Sequence, residues 1–518
     1  MLPAEVVGQP WPLAVATLRV AIPIAIVMAF LFKVERSEKQ TQTRQRLVTE
    51  NAITPAVTCA QRASSFNAGK ELSLPDVQKM RALLDRSLQP INEFKGFDWI
   101  DQFQTASLRY QLNFVSYALS VASQVHLPAA QGYMHEAQRR LAMKMLDHRV
   151  WGYWQLENMW GNLRTSADPV TRDNIMLSGF LSAQIGLARG LVGLNDFDGP
   201  QSLVFKKGNK RDYRYSLAQM NRIVAGHYGN ADYGLLACEP NWVFPLCNAI
   251  TATGLRAHDV QAGSSDWESI ATRFESALHT EFTSSSGLLV PFRSSRSGIA
   301  APMIGGGAMQ SLPCLFLNTV LPGVAQSQWQ IARDNLTQAR GKRGMWPVDI
   351  GNYRFNRSAS YGACAAAAVE MGDQEIADRI LQYMNEDYPL VTEGGVAHRP
   401  KASVWAHALE FTAIAGDHNA LKTATNGVSE SGPVISKVSY PDVVLASAKS
   451  ASGCLHAVMY PGNKVGNKSL TVSGLLPGKS YRLDGDNARQ VVADSHGNAV
   501  ISMLVDGRTE LNLYPVGA

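Results

Sequence analysis

Two cysteines and an acidic residue lie close together in the segment CEPNWVFPLC, from Cys238 to Cys247. The nine-residue spacing of the thiols differs from the CxxC and CxxxxC pairs of zinc sites, and no HxxxH or second CxxC completes four ligands. Acid–base or nucleophilic chemistry therefore remains, in which the neighbours of a cysteine decide whether it is a thiol or a thiolate. The simpler alternative is two ordinary core cysteines, because cysteine is among the most buried residue types.

The elements that must position this segment are helices. From about residue 74 to 430, apolar residues recur at intervals of three and four, as in SLPDVQKMRALLDRSL and SLRYQLNFVSYALSVASQVH. This periodicity predicts about ten to twelve helices joined by long loops, with few strand-like runs apart from GLLVPFRS. Such a helix count suits either paired helices closed into a toroid or an open solenoid.

After about residue 432 the period of the apolar residues changes to two. Short runs such as VVLASAKS and TELNLYPV, separated by PGN, PGK and SHGN turns, predict an antiparallel β-sandwich of about 80 residues. The segment LTVSGLLPGKSYRL also resembles the strand, turn and tyrosine of immunoglobulin-like and fibronectin-like sandwiches. No convergent polar cluster occurs in this region, which predicts a structural role.

The N-terminal region contains an apolar run from Trp11 to Phe32, in which Arg19 is the one charged residue. At about 22 residues the run is long enough to cross a bilayer as a helix. A cleaved signal peptide is the alternative, but no Lys or Arg precedes the run and no AxA site follows it. The predicted units are thus a transmembrane anchor (1–33), a polar linker (34–73), a helical barrel (74–431) and the sandwich (432–518).

Composition limits the remaining possibilities. The 518-residue chain has a net charge of +5 and no basic stripe interleaved with aromatic residues, which argues against nucleic acid as a partner. The six cysteines are irregularly spaced and do not indicate a disulfide framework. The chain has neither a P-loop nor a GxGxxG segment between a strand and a helix, and we predict no cofactor and no metal site.

Several segments in register are similar to the linalool dehydratase/isomerase family. These are RVWGYWQLENMWGN (Arg149 to Asn162), DPVTRDNIMLSGF (Asp168 to Phe180) and the CEP segment with its second cysteine nine residues on. An Ala-rich helix ending in EMGD and the HRP segment (His398 to Pro400) extend the resemblance, which covers roughly residues 75 to 425. The resemblance implies an all-α (α/α)6 barrel with its active site at the funnel where the loops meet.

The reaction that the resemblance implies is dehydration of an allylic or tertiary alkenol, reversible by hydration and joined to isomerisation. Loss of water needs an acid to protonate the hydroxyl group and a base to take a proton from the adjacent carbon. Cys238, Glu239 and Cys247 are the candidates, and burial near an apolar substrate would raise the pKa of Glu239 and keep it a proton donor. The predicted apolar wall consists of Met176, Phe180, Trp242 and Phe244, whose rings could stabilise a passing cation.

One position departs from the family pattern. The resemblance implies a histidine four residues after the helical methionine, where this chain has Phe180. His227, in IVAGHYGN ahead of the thiols, is a candidate to replace it, although a lone histidine is more often a satisfied structural residue. Either Glu239 and the thiols act alone, or the substrate is an alcohol other than linalool.

The resemblance also implies an Asp and a Tyr that reach the site across a subunit boundary, and hence a homo-oligomer. Asp101 and Tyr110 are the candidates, with a helix-start acid and a core tyrosine as the structural alternative. Asn174, in RDNIM, and Glu157 with Asn158, in QLEN, are further candidates for lining the funnel. The positive charges that follow Phe32 predict a cytoplasmic domain, whereas the resemblance implies a periplasmic one, so the side of the membrane stays open.

Two other classes of function fit the same pattern. A helical barrel with a β-sandwich is also an arrangement of glycoside hydrolases and polysaccharide lyases, and ten Trp residues would suit sugar stacking. The segment around the thiols, however, carries one carboxylate rather than two. The third possibility is a non-catalytic, membrane-tethered scaffold. The enzyme prediction is therefore a carbon–oxygen lyase that acts on a small apolar alcohol.

Overall fold

The computed structural model of the chain describes residues 70–101, 106–208, 211–301, 307–338, 357–427, 432–484 and 489–516. The predicted membrane segment Trp11–Phe32 and almost all of the predicted linker lie outside these residues. Within them, helices run from Leu74 to Asn426, and the strands of the C-terminal region run from Val434 to Pro515.

The helical region has the following described helices, which we number in chain order. They are α1 (Leu74–Ser87), α2 (Leu108–Val125), α3 (Gly132–Met145), α4 (His148–Trp151), α5 (Trp154–Asn162), α6 (Ile175–Val192), α7 (Leu217–Tyr228), α8 (Pro245–Ala262), α9 (Ala271–Glu281), α10 (Gly307–Leu317), α11 (Pro322–Gln338), α12 (Ser358–Glu370), α13 (Gln374–Asp387), α14 (Val404–Ala415) and α15 (Ala420–Asn426). The prediction that this part of the chain is helical is confirmed.

Six of these helices form a closed inner ring. α2 packs on α6, α6 on α8, α8 on α10, α10 on α12, α12 on α14, and α14 returns to α2. Outside the ring, α3 packs on α2 and α6, α11 packs on α10, and α13 packs on α12. The closed ring distinguishes this arrangement from an open solenoid, because the first and last ring helices are in direct contact.

The closest approach in the ring is between α6 and α8. A side chain on Gly179 would collide with Thr251, and one on Gly254 would collide with Ser182 and the backbone of Ala183. Small residues at the crossing let the two backbones approach, so that the middle of α8, at Thr251 and Gly254, packs against Gly179 to Ala183 of α6. Cys247 lies one turn before Thr251, whose hydroxyl group donates to the Cys247 carbonyl oxygen at 2.8 Å.

Two short hairpins and one pair of distant strands interrupt the helices. The hairpins are β1 (Leu203–Lys207) with β2 (Arg211–Tyr215) and β5 (Val391–Glu393) with β6 (Val396–His398). β3 (Trp242–Val243) pairs with β4 (Arg293–Ser294), which follows it only after α8 and α9. Helical periodicity did not predict the two hairpins. The sequences GNK and EGG between their strands were a usable signal, because such residues favour tight turns.

The C-terminal region is β-structure, as its period of two predicted. Its strands are β7 (Val434–Val438), β8 (Val443–Ala451), β9 (Cys454–Pro461), β10 (Gly466–Ser473), β11 (Ser480–Asp484), β12 (Arg489–Val492), β13 (Ala499–Val505) and β14 (Thr509–Pro515). They form a sheet of order β13-β10-β7 and a sheet of order β12-β11-β14-β9-β8. The hydroxyl group of buried Tyr481 accepts a hydrogen bond from the Leu476 amide at 2.9 Å, a contact like that of the predicted tyrosine corner.

The β-region is joined to the barrel at the C-terminal end of α2. The amide of Ala448 donates to the carbonyl oxygen of His126, which caps that helix, and the amide of Ala129 donates to the carbonyl oxygen of Ala448. The opposite end of α2 is therefore the end that is free to carry a site.

One described helix, α6, is long and apolar enough to cross a membrane by length and composition. The test window spans Ile175–Val192, and 89% of it is buried inside the protein. Such burial is typical of a core helix, and α6 is part of the inner ring.

A buried ion pair fixes the last ring helix. The guanidinium group of Arg399 donates two hydrogen bonds to the carboxylate of Glu410 on α14, at 2.8 and 2.6 Å, and both residues are almost fully buried. Arg399 also donates to the side chain of Asn385 on α13. Through Arg399, the HRP segment therefore joins α13 to α14 by an ion pair and a hydrogen bond rather than by apolar packing.

We expect Glu410→Gln to lower the free energy of unfolding by about 3–5 kcal/mol, because it leaves the buried Arg399 cation without its counter-charge. Glu375→Gln is the matched control. It removes a solvent-exposed pair with Arg379 one helical turn away, and should cost less than about 0.5 kcal/mol. Urea unfolding followed by circular dichroism measures both, and equal losses would contradict the role assigned to Glu410.

Candidate active site

The two thiols of the CEPNWVFPLC segment face each other. Cys238 lies on the loop before β3, and Cys247 lies in the first turn of α8, which begins at Pro245. Both side chains are buried, neither forms a disulfide, and their Sγ atoms are 3.1 Å apart in a hydrogen bond. The sequence prediction placed these residues together, and the fold brings their reactive atoms into contact.

Cys238 of this pair is held in its protonated thiol form. The hydrogen bond with Cys247, followed by burial, raises the pKa of the Cys238 thiol well above its ordinary value. Two tyrosines, Tyr117 on α2 and Tyr228 on α7, have pKa values raised by burial and also by the neighbouring Cys247. Cys238 is therefore a neutral thiol beside neutral hydroxyl groups, and it is not an activated thiolate.

Glu239 is the counter-ion of a buried arginine. Its Oε1 atom accepts a hydrogen bond of 2.7 Å from Nη2 of Arg109, in the first turn of α2. The Glu239 side chain is 26% exposed, whereas that of Arg109 is 1% exposed. The guanidinium carbon of Arg109 also lies 4.2 Å from the ring centroid of Tyr153, in cation–π geometry.

A second carboxyl group, Glu157 on α5, belongs to the same cluster. Burial raises the pKa of Glu157 to about 7, while Arg109 lowers it and the Glu239 carboxylate raises it. Its Oε2 atom is buried and makes no hydrogen bond. The cluster thus contains two carboxyl groups in different environments around one cation, and Glu157 is about half protonated at neutral pH.

Arg109 stays charged despite its burial. Burial by itself opposes the charge, but Tyr153, Glu239, Glu157 and Cys238 together hold the Arg109 pKa well above its ordinary value. The cation is therefore the centre of the cluster. It connects the helix α5, the loop before β3 and the thiol of Cys238.

Local packing holds α5 over the loop that carries Glu239. A side chain on Gly161 would collide with the ring of Pro240, so that α5 and this loop are in close contact. At the start of α5, the Tyr153 hydroxyl donates to Oδ1 of Asn174 at 2.8 Å, and the Asn174 amide donates to the Pro169 carbonyl oxygen at 2.8 Å. Asn174 therefore acts on the site by fixing Tyr153.

Asp101 and Tyr110 are neighbours in the same chain. Both are buried, and burial followed by the charge of Asp101 raises the pKa of the Tyr110 hydroxyl. The Tyr110 ring packs against Trp405 on α14 with centroids 5.8 Å apart. This pair lies on the α14 side of α2, next to Arg109 in sequence, and its predicted catalytic role stays a prediction.

The predicted apolar wall divides into buried and exposed members. Phe180 is buried in α6, and its carbonyl oxygen accepts a 2.8 Å hydrogen bond from Tyr117, which also neighbours Cys247. Met176 and Phe244 are partly buried against the core. Trp242 is 37% exposed and packs edge-on against Phe292 with centroids 5.3 Å apart, so it lies at the surface of the site.

His227 faces a cavity of about 20 Å³, large enough for about one water molecule. Arg172, Asp173 and Tyr233 line this cavity, together with the backbone that leads to Cys238. Burial and then the charge of Arg172 lower the His227 pKa. The described contacts of His227 are with these residues, and its predicted part in substrate binding stays a prediction.

A larger cavity lies elsewhere in the molecule. A cleft of about 550 Å³ opens between α1, α3 and the segment around β7, and Asp85, Glu136, Arg140 and Lys437 contribute its charges. None of the predicted site residues lines it. Among the residues that the structure describes, no group of three or more His, Cys, Asp or Glu is placed to hold a metal ion.

Sequence reasoning missed the central residue of the cluster. Arg109 lies in a helix with Gln111, Asn113 and Ser116, all of them buried, whereas helical periodicity places such residues on the solvent face. Glu157 was noted only as a possible lining residue. A usable signal was the low charge of α2, where one arginine in an otherwise uncharged helix requires a counter-ion if it is buried.

The fold and the cluster define a helical-barrel protein with a buried arginine, two carboxyl groups and two thiols close together. The sequence pattern of the linalool dehydratase/isomerase family matches residues 109–405, more than half of the chain. The protein belongs to this family, as the resemblance predicted. The match begins at Arg109 and ends at Trp405, and it includes the two thiols, Glu157 and Glu239.

Among solved structures, the chain is similar to an unsaturated glucuronyl hydrolase specific for heparin, with a TM-score of 0.43 and 11% identity over 69% of this chain and 98% of that one. The unsaturated glucuronyl hydrolase from Streptococcus agalactiae gives a TM-score of 0.40 and 10% identity over 68% of this chain and 96% of that one. A GH127 β-L-arabinofuranosidase from Geobacillus stearothermophilus T6 gives a TM-score of 0.27 and 10% identity over 93% of this chain and 81% of that one. Likeness at this level carries no argument about activity.

We expect Cys238 and Cys247 to resist alkylation by iodoacetamide at pH 7.5 in the folded protein, because burial and the raised pKa of Cys238 keep its thiolate fraction small. Cys454, which is partly exposed on β9, is the internal control and should react first. Mass spectrometry of tryptic peptides measures each rate. Labelling of Cys238 as fast as Cys454 in the native protein would contradict the described environment.

Proposed function

We propose that this protein is a hydro-lyase that dehydrates a small apolar alkenol, or hydrates the corresponding alkene, with isomerisation as a second outcome of the same chemistry. Membership of the linalool dehydratase/isomerase family supports the reaction class. The single observation that carries the mechanism is the cluster in which Glu157 and Glu239 flank Arg109 beside a protonated thiol pair. General acid and general base are the two groups that loss of water requires.

In this mechanism Glu157 protonates the leaving hydroxyl group. This assignment revises the sequence-based one, in which Glu239 was the donor, because Glu239 is engaged in a 2.7 Å ion pair with Arg109. A carboxyl group with a pKa of about 7 is protonated in half of the molecules at neutral pH, which suits both donation and recovery of a proton. The raised pKa follows from burial, as in other carboxylic acids that act as general acids.

Glu239 is then the base that accepts a proton from the carbon next to the departing hydroxyl group. Arg109 holds its carboxylate in position and stabilises its charge before the reaction. The thiols of Cys238 and Cys247 border the reacting carbons and keep water away from a developing allylic cation. Asp101 and Tyr110, next to Arg109, are proposed to orient the substrate hydroxyl group.

The proposed substrate is a member of the class of apolar alcohols, and the proposal does not specify linalool. Phe180 replaces the histidine that the family resemblance implies, and it puts a buried apolar ring in place of a second titratable group. Met176 and Phe244 extend the apolar side of the site, and Asn174 acts through Tyr153. The homo-oligomer that the resemblance implies remains part of the proposal.

A glycoside hydrolase is the second candidate, and one observation favours it. Glu157 and Glu239 are two carboxyl groups in different environments, and acid and nucleophile or base carboxyl groups are the usual pair in glycoside hydrolysis. The sequence alone places one carboxylate, Glu239, in the segment around the thiols. Release of aryl alcohols from aryl glycosides, without turnover of alkenols, would favour this alternative.

The N-terminal run Trp11–Phe32 is proposed to attach the protein to a membrane as a single-pass anchor. Its length and its lack of acidic residues support this proposal. The side of the membrane is either cytoplasmic, from the basic residues after Phe32, or periplasmic, from the family resemblance.

We expect Glu157→Gln to lower kcat/KM for an alkenol by about 10²- to 10⁴-fold, because the amide retains the shape of the side chain but cannot deliver a proton. In the wild-type protein kcat/KM should fall as the pH rises through about 7, because only protonated Glu157 can donate. Glu239→Gln should move this fall to lower pH, since the Glu239 carboxylate raises the Glu157 pKa. Gas chromatography of the products measures each rate.

Glu275→Gln, on the exposed surface of α9, is the matched control and should leave the rate unchanged. If Glu157→Gln retains activity while His227→Ala abolishes it, the proton donor has been misassigned and His227 replaces the family histidine. If the wild-type protein turns over no alkenol, the hydro-lyase proposal itself fails.

For the membrane anchor, we expect the full-length chain to stay in the membrane fraction through washing at pH 11, because an inserted apolar helix does not depend on ionic contacts. Deletion of residues 1–33 should release a soluble protein with an unchanged circular dichroism spectrum. A mature N-terminus beyond Phe32, found by N-terminal sequencing, would show a cleaved signal peptide instead.

A further inference from the structure

The outer face of α5 is apolar, although the helix lies at the surface. Leu156 is 60% exposed, Met159 42%, Trp160 79% and Leu163 89%. Leu156, Met159 and Trp160 recur at intervals of three and four and form one stripe along the helix, and Leu163 is the left-handed residue that caps its end. The buried face of α5 carries Trp154 and Asn158. A surface helix normally exposes its polar side, and α5 reverses that pattern.

Two more exposed tryptophans lie at the same end of the barrel. Trp99 is 52% exposed and follows Asp98, whose amide donates to the side chain of Gln111 in the first turn of α2. Trp242 bonds through its backbone to Cys238 and Glu239, and Glu239 pairs with Arg109 in the same turn of α2. We call Trp99, Leu156, Met159, Trp160, Leu163 and Trp242 the tryptophan face.

The tryptophan face borders the proposed active site. Gly161 of α5 packs against Pro240, the residue after Glu239, and Glu157 projects from the same helix into the cluster around Arg109. An apolar molecule held at the tryptophan face is therefore next to the acid and the thiols. An apolar patch of this kind marks an interaction surface rather than scattered exposed residues.

The residues of the face fit a lipid surface. Tryptophan is enriched where proteins meet the membrane–water interface, because its ring is apolar and its N–H group can bond to water or headgroups. In contrast, the exposed large hydrophobic residues on the described strands of the β-region are aliphatic, among them Val500 and Leu504. Arg164 and Arg296 are exposed at the C-terminal end of α5, where they can meet anionic headgroups.

The chain before the described residues is long enough for this placement. Lys70 lies at the C-terminal end of α2, where its carbonyl oxygen contacts His126, and α2 is about 27 Å long at 1.5 Å per residue. Residues 33–69 add 37 residues before Lys70, and a chain of this length can reach at most about 120 Å. A bilayer that holds Trp11–Phe32 can therefore also contact the opposite end of the barrel.

We propose that the tryptophan face lies in the boundary between headgroups and acyl chains of an anionic bilayer, and that the active site takes its apolar substrate from the lipid. The proposal rests on the membrane attachment proposed above and not on the identity of the reaction. Its consequence is that α5 is both the lipid-contacting element and the helix that carries the proton donor.

The test reconstitutes the full-length chain in vesicles of phosphatidylcholine and phosphatidylglycerol that contain a phospholipid with a diazirine close to its headgroup. After irradiation, trypsin releases residues 150–164, between Arg149 and Arg164, and mass spectrometry counts the lipid adducts. We expect adducts on this peptide in the wild-type protein. Leu156→Gln with Trp160→Gln should reduce them at least fivefold, and the matched control Val500→Gln with Leu504→Gln should leave them unchanged.

Two results would overturn the proposal. The first is lipid labelling of residues 11–32 without labelling of residues 150–164, which would show an attached protein whose barrel does not touch the bilayer. The second is photo-crosslinking of residues 150–164 to another copy of the chain in place of lipid, which would make the tryptophan face a subunit interface. Extraction of the whole chain by carbonate would refute the membrane attachment separately.

Discussion

The burial of Arg109 is the constraint on which the rest of the site depends. A guanidinium group that is 1% exposed must be paired, because leaving it without a counter-charge would cost several kcal/mol. Glu239 supplies the direct pair, Tyr153 a ring face, and Glu157 a further carboxyl group. Electrostatic attraction between Arg109 and these carboxyl groups therefore holds the loop before β3 and the helix α5 against the first turn of α2.

The same cation gives the two carboxyl groups different properties. Glu239 is in direct contact with Arg109. Glu157 is also affected by the Arg109 charge, but burial in low-dielectric surroundings has the larger effect on the Glu157 pKa. Two chemically identical groups are thereby placed in different environments, and burial raises the pKa of Glu157 to about 7. This is the usual way in which a protein obtains acid and base from one residue type.

The thiol pair depends on a different constraint, the close packing of α6 and α8. Small residues at their crossing let the two backbones approach around Thr251, one turn after Cys247, and the Sγ atoms of Cys247 and Cys238 lie 3.1 Å apart. Because Tyr117 bonds to the Phe180 carbonyl oxygen and neighbours Cys247, α2 joins the same arrangement. The thiols thus lie where three helices of the inner ring come together.

The sequence by itself determined the helical region, the change to β-structure near residue 432, the family and the pairing of Cys238 with Glu239 and Cys247. These features are local, because periodicity and short motifs act over a few residues. Only the tertiary structure decided that the ring closes, that Arg109 is the partner of Glu239, and that burial raises the pKa of Glu157. Arg109 and Glu239 are far apart in the chain, and a pKa depends on burial and neighbouring charge, which exist only after α2, α5 and the loop before β3 have packed together.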